Sequence, residues 1–107
     1  MPYVLVILRG GANAENDQLH APAHERFINT LIKQNVVLLG GAFAEAVDDA
    51  YAAYVLRCSD VDEARAIAAA DPLVIHDLVR PECVLWELVG INPDAIDASA
   101  VVRPEDV

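Results

Sequence analysis

Bulky apolar residues fall in four short blocks along the chain, Val4 to Leu8, Val36 to Leu39, Val55–Leu56 and Val84 to Leu88, separated by polar or alanine-rich stretches. Pro2 to Arg9 (PYVLVILR) predicts a strand, dense in β-branched and bulky residues. Gly10 to Leu19 is a polar connection punctuated by glycine and asparagine. His20 to Asn35 predicts a helix. Phe27, Ile28 and Leu31 recur there at helical spacing, and Lys33 and Gln34 stand near its end. Pro22 fits only a first turn, so the helix is expected to start close to it. Val36 to Glu45 predicts a second strand, weakened or bulged at Gly40–Gly41. Asp48–Asp49 marks a turn, and Tyr51 to Cys58 a third strand. Ser59–Asp60, with Asp62 and Glu63 three positions after each, forms a capping-box pattern ahead of a helix over Val61 to Ala70. Asp71–Pro72 ends that helix or starts a new turn. Arg80 to Val89 predicts the fourth strand, so residues 1–89 make one domain and residues 90–107 a tail.

The order β-α-β-β-α-β is a split βαβ unit, an α+β arrangement with four antiparallel strands in the order 4-1-3-2 and both helices on one face. The first strand is apolar on both sides, with Tyr3, Leu5 and Ile7 on one and Val4, Val6 and Leu8 on the other. The fourth repeats this, with Val84, Trp86 and Leu88 opposite Cys83 and Leu85. Two helices cover one face only, and a wet second face would alternate with polar residues. A homodimer packed sheet to sheet is the expectation, with substitutions such as Val6→Asp expected to disrupt it.

The 107 residues suffice for one domain with a core. No apolar run approaches the roughly 20 residues of a membrane span, and no leader pattern is visible, so a cytoplasmic location is the default expectation. Seventeen acids against seven bases give a net charge of −10. That balance argues against nucleic acid, which is bound through basic side chains, and against anionic membranes. Cys58 and Cys83 do not make a disulfide framework. They lie on strands separated by the first one and read as buried apolar residues.

Two residues carry candidate chemistry. His24 shares the stripe of Phe27, Ile28 and Leu31, so its imidazole points toward the sheet, either as a satisfied core histidine or as a general acid or base. Asp71 shares one side of the second helix with Val61, Ala64 and Ala68. An acid at a helix C-terminus opposes the macrodipole. Asp71 is either the cap of a new turn begun by Pro72, or a functional carboxylate, or both. The common sheet face lets the two approach, and a carboxylate beside an imidazole would fix its tautomer. His20 and His76 give only a weak metal pattern, without a cysteine cluster or HExxH, so no metal is expected. Gly10–Gly11 lacks the surroundings of a phosphate loop, and no cofactor is expected. Asp77 reads as solvated. Tyr3, Tyr54 and Trp86 read as core or interface residues, with a hydroxyl of Tyr3 or Tyr54 available to line a pocket.

His24 in AHERFINTL, the strand VVLLGGAF, the run DEARAIAAADPLV at 62–74 and Trp86 together resemble the YCII-related family over about residues 1–89. The resemblance implies a ferredoxin-like fold assembled as a dimeric α+β barrel. It also implies an active site built from His24 and Asp71. Tyr3, Phe43, Pro72 and His76 are the expected substrate-binding residues. Among the activities the resemblance implies is halide elimination from a chlorinated hydroxyquinone-type ring. The chain departs from the usual family pattern at Gly41–Ala42, Leu73 and His76–Asp77, and lacks the arginine often found just before the helix histidine. A cofactor-independent enzyme of elimination, isomerisation or hydrolysis is the leading expectation. A non-catalytic dimeric module that binds a metabolite or a partner is the alternative. A haem or oxygen-using enzyme is a fold-level analogy only.

Overall fold

The computed structural model describes residues 2–11, 17–97, 99 and 101, and the side chains of residues 17 and 18 lie outside that description. Its elements are β1 (Tyr3–Gly10), α1 (Asp17–Lys33), β2 (Val37–Val47), β3 (Ala50–Arg57), α2 (Val61–Ala69), α3 (Pro72–Ile75) and β4 (Val79–Trp86), followed by a 3₁₀ turn at Pro93–Ala95. The sheet runs β2-β3-β1-β4, antiparallel at each pairing. This is the predicted order, and the fold is the ferredoxin-like α+β arrangement. No helix among the described residues is long and apolar enough to cross a membrane.

Alternation along β1 divides the sheet into two faces. Val4, Val6 and Leu8 are buried under the helices, in one cluster with Tyr54, Leu56, Ala64, Ala68, Leu73 and Leu78. Each fully buried Val or Leu contributes about 1.5–3 kcal/mol of transfer free energy. Val6 therefore belongs to the core, and the expectation that it marks a subunit contact is corrected. The other face carries Tyr3, Leu5 and Ile7, which are half-buried. Residues directly opposite in register share a face. Leu39, Val55, Leu5 and Val84 form one row across all four strands, and Tyr3 and Trp86 begin the next. The unpartnered face is apolar, as the sequence pattern predicts.

Four local features differ from expectation. First, α1 begins at Asp17, so Pro22 lies inside it. Pro22 is exposed, and the hydrogen bond that it forgoes is lost on the solvent side. Second, the bulge in β2 falls between Val37 and Leu39, one step before the glycines. The extra residue flips the alternation, turning Val37 inward and Leu39 outward. Gly40 then lies over Tyr54, where an added Cβ would stand 2.6 Å from the tyrosine Cβ. Third, α2 ends at Ala69, one residue before its expected end, and Pro72–Ile75 forms the new turn, one of the two alternatives for Asp71–Pro72. Fourth, β4 ends at Trp86 and not at Val89. In the segment that follows, Val89, Ile91, Ile96 and Val101 are exposed. Residues 12–16 of the connection expected over Gly10 to Leu19, and the end of the tail, lie outside the described residues.

Two helical segments close on left-handed residues. Asn35 (φ 62°) and Asp77 (φ 58°) follow α1 and α3. The Val36 N–H donates to the Leu31 carbonyl, and the Leu78 N–H to the Leu73 carbonyl, each at 2.9 Å. This is the Schellman closure, with the short polar side chains standing where glycine is commonest.

Candidate active site

The site begins with how α2 is started and stopped. Asp60 caps its N-terminus, accepting from the Glu63 N–H at 2.8 Å, and the Glu63 carboxylate reaches back to the Ser59 N–H. The cap of the predicted box is thus present, while its return bond falls on the residue before the N-cap. Ala64 and Ala68 are fully buried, and their small side chains let α2 lie close on the sheet. The chain then turns at Asp71, which caps α3 with its side chain on the Leu73 N–H at 2.9 Å while Pro72 occupies the first helical position. With the cap at one end and the Schellman closure at the other, α3 is a short turn fixed at both ends and anchored by buried Leu73 and Leu78.

Asp71 has no solvent exposure. A buried carboxylate requires compensation. It comes from α1, where His24 Nδ1 lies 2.9 Å from both Asp71 oxygens. Nδ1–H donates to the carboxylate, and Oδ1 also accepts from Leu73. In the neutral ring, Nε2 is then the nitrogen that carries the lone pair. The His24 side chain keeps 20% exposure against none for Asp71, so the imidazole is the member of the pair within reach of solvent. Asp71 both caps α3 and pairs with His24.

The other expected site residues divide by face. Pro72 adjoins Asp71 directly. His76, the cap residue at the far end of α3, stacks on His20 with ring centroids 4.0 Å apart and planes 17° from parallel. Tyr3 lies on the opposite sheet face, in register with Trp86. Phe43 lies beyond Ala42, the last of the regularly paired positions in β2, and is exposed. Neither joins the pair within one chain.

Sequence reasoning gave Tyr54 no definite place. It is buried on the helix side, and its hydroxyl has no hydrogen-bond partner among the described residues. Burial, then the charge of Asp71, holds its phenol protonated well above the ordinary tyrosine range. Cys83, across Val6 from Tyr54, and Cys58 are both free. Burial pushes both thiols up, away from the nucleophilic thiolate. The His20–His76 stack also went unread. The signal for it was present in the spacing, since His20 stands one helical turn before His24 on the same face.

The profile of the YCII-related domain matches residues 1–85. The chain belongs to the YCII-related family. A comparison with curated proteins gives no match. Among solved structures, the chain is similar to 5-chloro-2-hydroxyhydroquinone dehydrochlorinase from Burkholderia phenoliruptrix AC1100, in complex with 2,5-dihydroxybenzoquinone. The TM-score is 0.64 at 15% identity, over 79% of this chain and 93% of that one. At that identity the likeness is one of fold.

Proposed function

We propose that this YCII-related protein is a small-molecule enzyme that needs no cofactor, with His24 as general acid or base and Asp71 as its orienting carboxylate. The observation that carries the reading is a fully buried aspartate bonded through both oxygens to a partly exposed histidine. Core filling alone does not call for a buried charge, and a cap alone would be served by Asp71 Oδ1 without the imidazole.

The arrangement suits proton abstraction. Nε2 takes a proton from a substrate carbon or hydroxyl, and the imidazolium that forms is stabilised by the carboxylate on its other side. In an elimination, the electron pair of the broken C–H or O–H bond moves into the substrate. A leaving group such as halide departs with its own bonding pair, and the proton is released from His24 to solvent. The dehydrochlorinase likeness makes this the first reaction to try. Pro72 and His76 border the pair on the α3 side and are assigned to substrate contact. Tyr3 and Phe43, away from the pair in one chain, would contribute to substrate binding only across subunits.

The apolar row Leu39–Val55–Leu5–Val84, with Trp86 beside it, supports a homodimer packed through this sheet face. Sedimentation at micromolar concentration should give twice the chain mass. Leu5→Asp, on the open face, should reduce it to one, and a parent protein of one-chain mass would refute the dimer.

The enzymatic reading is tested by chloride release from 5-chloro-2-hydroxyhydroquinone and a small panel of halogenated hydroxyquinols. Release is expected above background and lost in His24→Gln. Equal release by that variant would remove His24 from the chemistry. No release across the panel by a folded parent protein would leave elimination unsupported.

A further inference from the structure

The His24–Asp71 bond joins two elements that touch at a second point. Asp71 is the N-cap of α3 and His76 its C-cap residue. His24 and His20 lie one turn apart on α1. Rising α1 numbers therefore meet falling numbers around α3, with His24 on Asp71 and His20 on His76. All three histidines of the chain are used in these two contacts.

The second contact matters because of how each element is seated. Both ends of α3 are closed by backbone hydrogen bonds, and Leu73 and Leu78 anchor it in the core. On α1, no residue with a described side chain is fully buried, and Ile28 and Leu31 are only partly buried against the core. One bond from His24 would leave α1 free to roll or slide by a fraction of a turn. A second attachment one turn away removes that freedom. Hydrogen bonds weaken steeply as the donor angle falls, so a small roll of α1 would be felt at Nδ1.

We propose that the His20–His76 stack is a positioning brace that sets the distance and tautomer of the His24–Asp71 pair. Neither ring need touch a substrate for this role. The inference rests on the reading of that pair as the working site. Its test reads the His24 ring directly, so a protein that turns over none of the compounds tried still tests the brace.

The experiment is nitrogen and proton NMR of the full chain, following the His24 ring nitrogens and solvent exchange of its Nδ1 proton. In the parent, one tautomer with the proton on Nδ1 is expected. His20→Ala should speed exchange of that proton at least fivefold and bring in signal from the second tautomer. His20→Phe keeps a flat ring at the same position and should return both readouts most of the way. His76→Ala truncates the stack from the exposed side, and should reproduce the His20→Ala result even if that variant folds poorly. A brace that serves stability alone would lower the unfolding temperature of the alanine variants and leave the His24 signals as in the parent. That outcome, or failure of His20→Phe to restore them, would overturn the proposal.

Discussion

The two segments that meet at the candidate site are held in opposite ways. The segment from α2 to α3 is stapled from within, with Ala64 and Ala68 fully buried, Asp60 and Asp71 as caps and a Schellman closure beyond Ile75. The described side chains of α1 are all partly or fully exposed. One residue of the pair is therefore fixed by its own element, and the other depends on what it reaches. The immobile partner is the carboxylate, which orients. The partner with room to adjust is the imidazole, which would exchange protons with a reactant. Orientation tolerates little error, while proton transfer benefits from access.

The contrast breaks most severely at Asp71. Asp71→Ala removes a cap, strands the Leu73 N–H and leaves the His24 Nδ1 without its acceptor. The expected loss is about 2–4 kcal/mol, combining a lost cap with an unsatisfied buried donor, as read by urea unfolding. Asp71→Asn keeps an oxygen for Leu73 and should lose much less stability than the alanine variant, while disturbing the His24 tautomer as strongly.

Core truncations sharpen the comparison. Leu73→Ala under α3 should cost roughly 2–4 kcal/mol, and Ile28→Ala on half-buried α1 about half as much. Equal losses would show that α1 is seated as firmly as α3. His24→Gln comes next. It should cost less than Asp71→Ala, because water can reach the place of the partly exposed imidazole, while abolishing any turnover.

A titration separates the core from the surface. The phenol of Tyr54 is neutral in the fold, with its ionisation pushed up by burial from the ordinary value of 10.0. Its contribution to stability is complete below that value. It is lost as pH rises from there toward the folded-state value, because the unfolded chain then releases the proton first. Tyr54→Phe should leave stability near neutral pH unchanged or raised, and should flatten the alkaline limb of the unfolding curve. The smallest effect is expected from the exposed Arg9–Asp49–Arg80 network, with Glu82 on Arg9, at the end of β1. The Arg9 guanidinium holds the Asp49 carboxyl below its ordinary range. That contribution is present at neutral pH and is lost as pH falls through the lowered value. Arg9→Ala should matter little, and less still in high salt.

Topology was legible in the sequence because each strand carried its own apolar block and each turn its own signal. The pair itself was half legible. Periodicity turned His24 toward the sheet and left Asp71 between cap and functional acid, because both roles need the same residue at the same place. What stayed hidden depended on three-dimensional register. The face of Tyr3 relative to the site follows from which side of β1 the helices cover, and an apolar alternation on both sides does not state that. Val6 was misread as a contact residue for the same reason. The start of α1 was displaced by Pro22, whose usual meaning as a boundary fails when it sits on the wet side of a helix.

The extra residue between Val37 and Leu39 has a reach beyond its own strand. By reversing the alternation after Val37, it presents Gly40 rather than a bulky neighbour to the Cβ of Tyr54. Straightening the bulge with Leu38 retained would pair Leu38 with Val55 and Leu39 with Tyr54, and reverse the inside–outside parity of the strand beyond it. The bulky Leu39 would then be offered to the space that Gly40 leaves for the tyrosine. In this strand a register shift of one residue acts as a substitution at every later position, so the bulge between Val37 and Leu39 is as much a part of the interior as the side chains themselves.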